Sequence, residues 1–395
     1  MAAATEVPIT GTVLGWAIDE AGFTEEEAAR RAKVDVLTLQ AFITGIQRPT
    51  KTQFNRLVEA VRRPSAIFFL SEPPARAGLP TRFRSAPGGH SLGPVAIREV
   101  RKARRLQAVM SWLLQQVDDD SPVVALDTVD WLESDPTVEG ERFRRALGVT
   151  LVEQAAWRSQ ADALREWRAI YDEMGILVFS LQLGKAEIRG FSAWDVAAPV
   201  LAVNTAYVES ARIFTMAHEF AHLVSRTDAT CQNWVNPTET PARSIERWCE
   251  RFAAAFLLPP TMLRPYLAYQ FSIGEPQSVT DFDTVWKLSR RLKVSARAMA
   301  ITLQEMDLGP AHLYALVEEE ADKVDRRPQR DEESGGGVKA HFARLMQYGP
   351  RTASRVVAAS ASGELGERDA ADYLGLDMGG LADLERELRN TQRVT

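Results

Sequence analysis

Cysteine is nearly absent from this chain: Cys231 and Cys249 are the only two in 395 residues, too few for a disulfide framework. Long apolar runs are missing, and no stretch approaches the length of a membrane span. The opening residues, Met-Ala-Ala-Ala-Thr-Glu-Val-Pro, lack the basic and apolar regions of a secretory signal. A soluble chain in the cytoplasm, with no membrane partner, is therefore expected. Positive charge is not in excess: 47 Lys and Arg stand against 53 Asp and Glu, a net of −6. Any contact with nucleic acid must then come from a local patch, since the overall field opposes it. Internal repeats are absent. What remains is ordinary for a globular protein, 45% hydrophobic and 25% charged, and long enough for two to three domains with a sizeable core.

Histidine is also scarce, with five in the whole chain, yet two of them fall four residues apart in His218-Glu219-Phe220-Ala221-His222. Residues at that interval share a helix face, so both imidazoles can point at one metal ion. Glu219 lies beside them, placed to act on a water without being a ligand itself. This is the H-E-x-x-H arrangement of metal-dependent peptide hydrolysis. The flanks Phe214, Met216, Ala217, Leu223 and Val224 are apolar and predict a buried helix. Two histidines and a carboxylate are costly in such a place unless something pairs with them.

A catalytic metal takes three protein ligands and keeps a fourth position open. The third ligand is sought in the run from Ser244 to Pro259. There Ile245, Trp248, Cys249, Phe252, Phe256 and Leu257 recur at helical spacing, and Pro259-Pro260 ends the pattern. Thr240 and Pro241 offer a cap and a first-turn proline upstream. Glu246 is the leading candidate; Glu250 is the alternative ligand, or a partner that holds a histidine in its tautomer. Asp228 is a rival at the position where metzincins place their last ligand, but Ser225 stands where their tight turn has glycine. Cys249 reads as a buried structural thiol.

The runs from Phe214 to His222 and from Glu246 to Pro259 resemble the ImmA/IrrE family of bacterial and phage metallopeptidases. So do three strand-like segments upstream, beginning at Gly175, Ile188 and Pro199, the last ending in Val203-Asn204. The similarity covers roughly residues 165–305. It implies zinc as cofactor, His218, His222 and Glu246 as its ligands, and Glu219 as catalytic base; Mn²⁺ or Fe²⁺ would also suit two nitrogens and one oxygen. It further implies an endopeptidase that cleaves a helix-turn-helix repressor and so controls stress-response or mobile-element genes. Two positions depart from the family pattern, Glu250 where asparagine is common and Phe220 where a smaller aliphatic residue is usual. Tyr207 is a candidate for stabilising the oxyanion.

Residues 11–70 read as five short helices, with a capping box at Thr24-Glu25-Glu26-Glu27 and residues 37–45 in the recognition position of a repressor-type (Cro/C1-like, XRE) helix-turn-helix, which the order of helices resembles. Thr38, Gln40 and Thr44 would face bases there, and Arg48 and Lys51 the phosphates. Residues 1–75 nevertheless carry eight basic and nine acidic side chains, which opposes a phosphate backbone. A DNA-binding regulator, or a component of an antitoxin or phage-immunity pair, is thus the alternative to the peptidase reading. Docking of a protein is a further role for the same helices.

The expected fold is mainly α, of the α+β class: a helix-turn-helix bundle at 1–75, a linker and helical scaffold at 76–158, a zincin-like metallopeptidase domain with a small β-sheet at 159–305, and a helical region at 306–395 with a flexible linker near 326–337. Individual helices are expected at 95–117, 139–147, 151–156, 159–174, 282–292 and 295–304. The tail over 338–390 shows no chemistry, and interaction or autoinhibition is its expected use. His90, between glycines and prolines, reads as a surface residue.

Overall fold

The computed structural model describes residues 6–21, 23–61, 65–73, 84–85, 93–115, 126–184, 188–227, 241–324 and 339–392. His90, Asp228, Cys231, Thr240 and the expected linker at 326–337 lie outside them. The chain divides into two compact units, Met1–Leu79 with Gly89–Arg101, and Pro80–Gly88 with Lys102–Thr395.

In the first unit, α1 (Gly11–Glu20), α2 (Glu25–Ala32), α3 (Val36–Ile43) and α4 (Lys51–Val61) are followed by a 3₁₀ turn at Ser65–Phe69. The fifth expected helix is therefore this short turn. Thr24 accepts from the Glu27 amide while the Glu27 carboxylate accepts from the Thr24 amide, so the capping box forms. Lys33, in the left-handed region at φ 55°, ends α2, and Asp35 caps α3 two residues later. Leu14, Ala29, Leu39, Phe42 and Leu57 are fully buried at the centre of the bundle.

The second unit is mostly helical around a small sheet. Its strands are β1 (Arg84–Ser85), β2 (Leu177–Leu181), β3 (Ile188–Ala193) and β4 (Val200–Asn204), in the spatial order β1-β3-β4-β2. β2 runs parallel to β4 with Leu177 opposite Val200; β3 is antiparallel to β4 with Gly190 opposite Val203. Every residue of β4 is buried, as expected for a strand covered on both faces. Asn204 closes its end: its amide nitrogen donates to the carbonyls of Gly184 and Ile188, at 2.8 and 2.7 Å, while its oxygen accepts from the Leu183 amide. That explains an asparagine after Val203, since the chain leaving β2 has no ladder partner there.

Helix α9 (Glu209–Val224) lies on β3 and β4. A Cβ at Gly190 would stand 2.5 Å from the Ala202 oxygen and 2.5 Å from Thr215 of α9, so only glycine permits this approach of helix to sheet. On the far side of α9 runs α10 (Pro241–Leu257), which also packs along α6 (Pro136–Ala146). Phe220, the departure from the family pattern, meets Phe143 edge-on at 5.4 Å and Tyr171 at 5.3 Å, so the aromatic core accommodates it.

Of the expected helices, α5 (Pro94–Gln115), α6, α7 (Leu151–Ala156), α8 (Gln160–Glu173), α12 (Phe282–Leu292) and α13 (Ala296–Glu305) appear within a few residues of the anticipated spans. α11 (Pro260–Phe271) does not follow from the pattern: Pro259-Pro260 reads as a stop, but Pro260 opens a new helix as its first residue and Pro265 is carried inside it. After α14 (Leu313–Val324), the tail forms α15 (Ala340–Tyr348), α16 (Pro350–Ser362), α17 (Glu367–Leu374) and α18 (Met378–Gln392). It is part of the second unit rather than an appendage. Tyr348 packs edge-on against Phe179 of β2 at 5.4 Å, and Arg168 of α8 donates to the carbonyls of Met346, Gln347 and Val178. Among the described residues, no helix is long and apolar enough to cross a membrane.

Candidate metal centre

α9 is buried along nearly its whole length, leaving only Glu209 and Phe214 partly accessible. An all-round buried helix has to pair its polar side chains. His218, Glu219 and His222 are at most 3% exposed, and each has a polar neighbour supplied by another element.

α10 brings the carboxylate. His218 Nε2 is 3.2 Å from one Glu246 oxygen and His222 Nε2 is 3.5 Å from the other. The two Nε2 atoms are 3.2 Å apart. One ligand atom from each residue lies within 4.8 Å of the others. Four donors around a divalent ion at bonds of about 2.0–2.1 Å would be separated by about 3.3 Å, the edge of the tetrahedron they define. The separations seen here match that edge, and two imidazoles with one carboxylate form a donor set suited to such an ion. The Glu246 side chain keeps 42% of its accessible surface, so the cluster opens toward solvent on its α10 side.

β3 holds the second carboxylate. The Ser192 hydroxyl donates to Glu219 Oε2 at 2.9 Å, in a buried contact. Gln107 of α5 fixes the exit of that strand by donating to the carbonyls of Ala193 and Ala198, both at 2.9 Å. Glu219 is thus oriented by the sheet, whereas the histidines are oriented by the helix that carries them and by α10.

The far side of His222 is polar as well. Its Nδ1 lies 2.8 Å from Thr227 Oγ1 and 3.5 Å from Cys249 Sγ. Burial disfavours the protonated ring, but Cys249, Glu246 and Glu219 outweigh it and raise the proton affinity of His222 well above that of an ordinary imidazole. Burial likewise would raise the Glu246 carboxyl, and the hydrogen bonds from His218 and His222 instead hold it well below the usual carboxylate range. Burial pushes the Cys249 thiol up, against the pull of His222. The cluster calls for positive charge, whether proton or metal.

Several expected partners lie elsewhere. Glu250 is exposed; it neither joins the three-residue group nor backs a histidine, because the next turn of α10 carries it toward solvent, near Tyr314. Thr227 and Cys249 occupy the position for which it was a candidate. Tyr207 precedes α9, two residues before its start, and has Arg189 over its ring at 5.0 Å. The turn after His222 forms without glycine, because Arg226 adopts the left-handed region at φ 53°. Thr227 follows from no spacing rule used above; its only signal is a hydroxyl residue just past the end of the histidine helix.

The N-terminal candidates are placed apart from one another in role. Thr38 Oγ1 donates to its own cap, Asp35, at 2.6 Å; Gln40 donates to Glu25 of α2 at 2.8 Å; Thr44 donates back to the Gln40 carbonyl. All three polar groups are engaged within the unit. Leu37 on the same helix is 77% exposed and Ile46 just beyond it 83%. Arg48 and Lys51 are exposed.

Residues 171–304 match the family model described as the IrrE N-terminal-like domain, peptidase M78. The matched stretch runs from the end of α8 to α13 and contains His218, Glu219, His222 and Glu246. An ImmA/IrrE-type metallopeptidase domain, and with it a peptidase-type function, is therefore assigned to this part of the chain. No protein of curated function matches the chain significantly.

Proposed function

We propose that this chain is a zinc-dependent endopeptidase of the cytoplasm that cleaves a regulatory protein, a helix-turn-helix repressor, and thereby releases stress-response or mobile-element genes. The observation that carries this reading is the convergence of His218, His222 and Glu246 at the spacing of a tetrahedral metal site, beside Glu219. His218, His222 and Glu246 would hold the ion. Zinc in such a site supplies Lewis acidity toward water and toward a peptide carbonyl. Glu219, held at Oε2 by Ser192, takes a proton from the attacking water and returns it to the leaving amide nitrogen. The open side of the cluster at Glu246 leaves room for a peptide. In Glu219→Gln, one equivalent of zinc should be retained while cleavage of a co-expressed repressor-type protein falls about 10²–10⁴-fold. Undiminished cleavage by that variant would overturn the reading.

The second reading is a DNA-binding regulator whose peptidase domain senses or docks. Its support is the first unit, where a capped helix pair is followed by exposed Arg48 and Lys51. Against it stand the internal hydrogen bonds of Thr38, Gln40 and Thr44 and the apolar exposure of Leu37. Salt-sensitive, sequence-selective DNA binding by the full chain, lost in an Arg48→Ala/Lys51→Ala double variant, would favour it. No binding at low salt would eliminate it.

A further inference from the structure

The end of α9 is a Schellman motif. Ser225 is the C-cap; the Arg226 amide donates to the Leu223 carbonyl at 3.3 Å and the Thr227 amide to the His222 carbonyl at 3.2 Å. Arg226 supplies the left-handed residue at φ 53°, a conformation that strains a non-glycine residue. Its guanidinium donates to the carbonyls of Leu223 and Leu126 and lies over Trp194, which offsets that strain. The consequence is geometric: the motif folds the chain back so that Thr227 sits directly against His222, and its hydroxyl reaches Nδ1 at 2.8 Å.

The Ala221 carbonyl and the Ser225 and Thr227 hydroxyls then set the direction of the hydrogen bonds that link them to His222. The single Ser225 hydroxyl proton goes to the Ala221 carbonyl at 2.7 Å. Ser225 Oγ is therefore an acceptor toward Thr227 Oγ1 at 3.0 Å, and the Thr227 proton is spent on it. Thr227 is left only lone pairs for His222, so His222 Nδ1 carries a hydrogen and donates it. A neutral imidazole protonated at Nδ1 presents its lone pair at Nε2, the atom that faces His218 and Glu246.

We propose that Thr227, backed by Ser225 and the Ala221 carbonyl, is a positioning residue that fixes the tautomer and ring angle of His222 and so prepares its Nε2 for a divalent metal. The inference rests on the metal-centre reading above. Cys249, although also close to Nδ1, is the lesser partner because its sulfur is 3.5 Å away and a thiol is a weak acceptor.

The test is Zn²⁺ affinity of the full-length chain, measured by competition with a chromophoric chelator. Thr227→Val, which keeps shape and loses the hydroxyl, should weaken Zn²⁺ binding about 10–100-fold. Thr227→Ser should restore affinity to within about threefold of the parent, a margin far smaller than the loss of a histidine's outer partner, and Cys249→Ala should weaken it less than Thr227→Val does. In the zinc-loaded parent, the His222 Nδ1–H proton should appear as a protected imidazole resonance in NMR spectra, and be lost to exchange in Thr227→Val. Unchanged affinity in Thr227→Val, equal weakening in Thr227→Ser, or a larger loss in Cys249→Ala overturns the proposal while leaving the metal centre standing. A parent protein that takes up no Zn²⁺ overturns both.

Discussion

At the scale of single residues, the candidate metal centre concentrates acceptors around two histidines that are themselves cut off from water. Without a cation, two imidazoles and a carboxylate share a site where His218 and His222 are almost fully buried, and a bound ion would settle that imbalance. Zinc added to metal-free protein should therefore raise the melting temperature, because a ligand bound only by the folded state stabilises it by about 2.7 kcal/mol at a hundred times its Kd. For a chain of 395 residues, at about 2.1 cal/mol/K of unfolding entropy per residue, that corresponds to roughly 3 °C. Glu246→Ala should abolish the shift, as read by scanning calorimetry with and without Zn²⁺. A second titratable group acts outside the site. Burial pushes the Asp172 carboxyl up to about 6, against the pull of Arg168 and Arg351. The folded state then holds a proton that the unfolded chain, at an ordinary value of 3.8, gives up. That contribution to stability is full below the unfolded value and is lost as the pH rises through about 6. Asp172→Asn, neutral throughout, should match the parent near pH 4 and exceed it near pH 7, as read from urea midpoints.

Elements matter here through the angles at which they meet. Glu246 reaches the histidines because α10 lies close along α6 and turns one face to α9. A Cβ at Gly140 of α6 would stand 2.5 Å from the Phe252 oxygen and 3.0 Å from the Phe256 amide nitrogen of α10. Gly140→Ala must therefore push α10 away. It is expected to cost on the order of 1–3 kcal/mol, as overpacking does, and to weaken Zn²⁺ binding although Gly140 touches no ligand. Equal zinc affinity in parent and variant would show that α10 is positioned by something else. The helices themselves were legible where a cap and an apolar stripe coincide: Thr150 with Glu153, Asp281 with Thr284, and Ser295 with the Ala298 amide all mark starts that the pattern anticipates. α11 was not legible, since its prolines are local breakers that the fold tolerates at a first turn.

Taken as a whole molecule, the second unit is held by buried polar stitches as well as by its aromatic core. Arg144 has no exposed surface; it donates to the carbonyls of Val149, Thr150 and Phe256 and to Gln154, while Gln154 donates to the carbonyls of Leu257 and Leu292. Burial lowers that guanidinium to about 9, and its four acceptors keep it charged at neutral pH. Arg168 performs the corresponding service for the tail. Arg168→Ala should leave the carbonyls of Met346, Gln347 and Val178 short of a donor, at about 1–3 kcal/mol for such a loss. Hydrogen exchange should then accelerate in α15 before it does in α9. Uniform acceleration across the unit would argue instead for a single cooperative core.

Spacing along the chain by itself determined that His218 and His222 share a face, that Glu219 stands next to them, and that α10 presents an apolar stripe with acids at its edge. Those are properties of one helix at a time, and 3.6 residues per turn suffices to read them. Which acid completes the group was decided only by the tertiary structure. Glu246 and Glu250 share a face of α10 one turn apart, about 6 Å along its axis, and the way α10 lies against α6 and α9 sets the first beside the histidines and leaves the second exposed. Thr227 belongs to the same category. Its place behind His222 depends on a left-handed Arg226 held by Trp194, Leu223 and Leu126, residues that only a folded chain brings together.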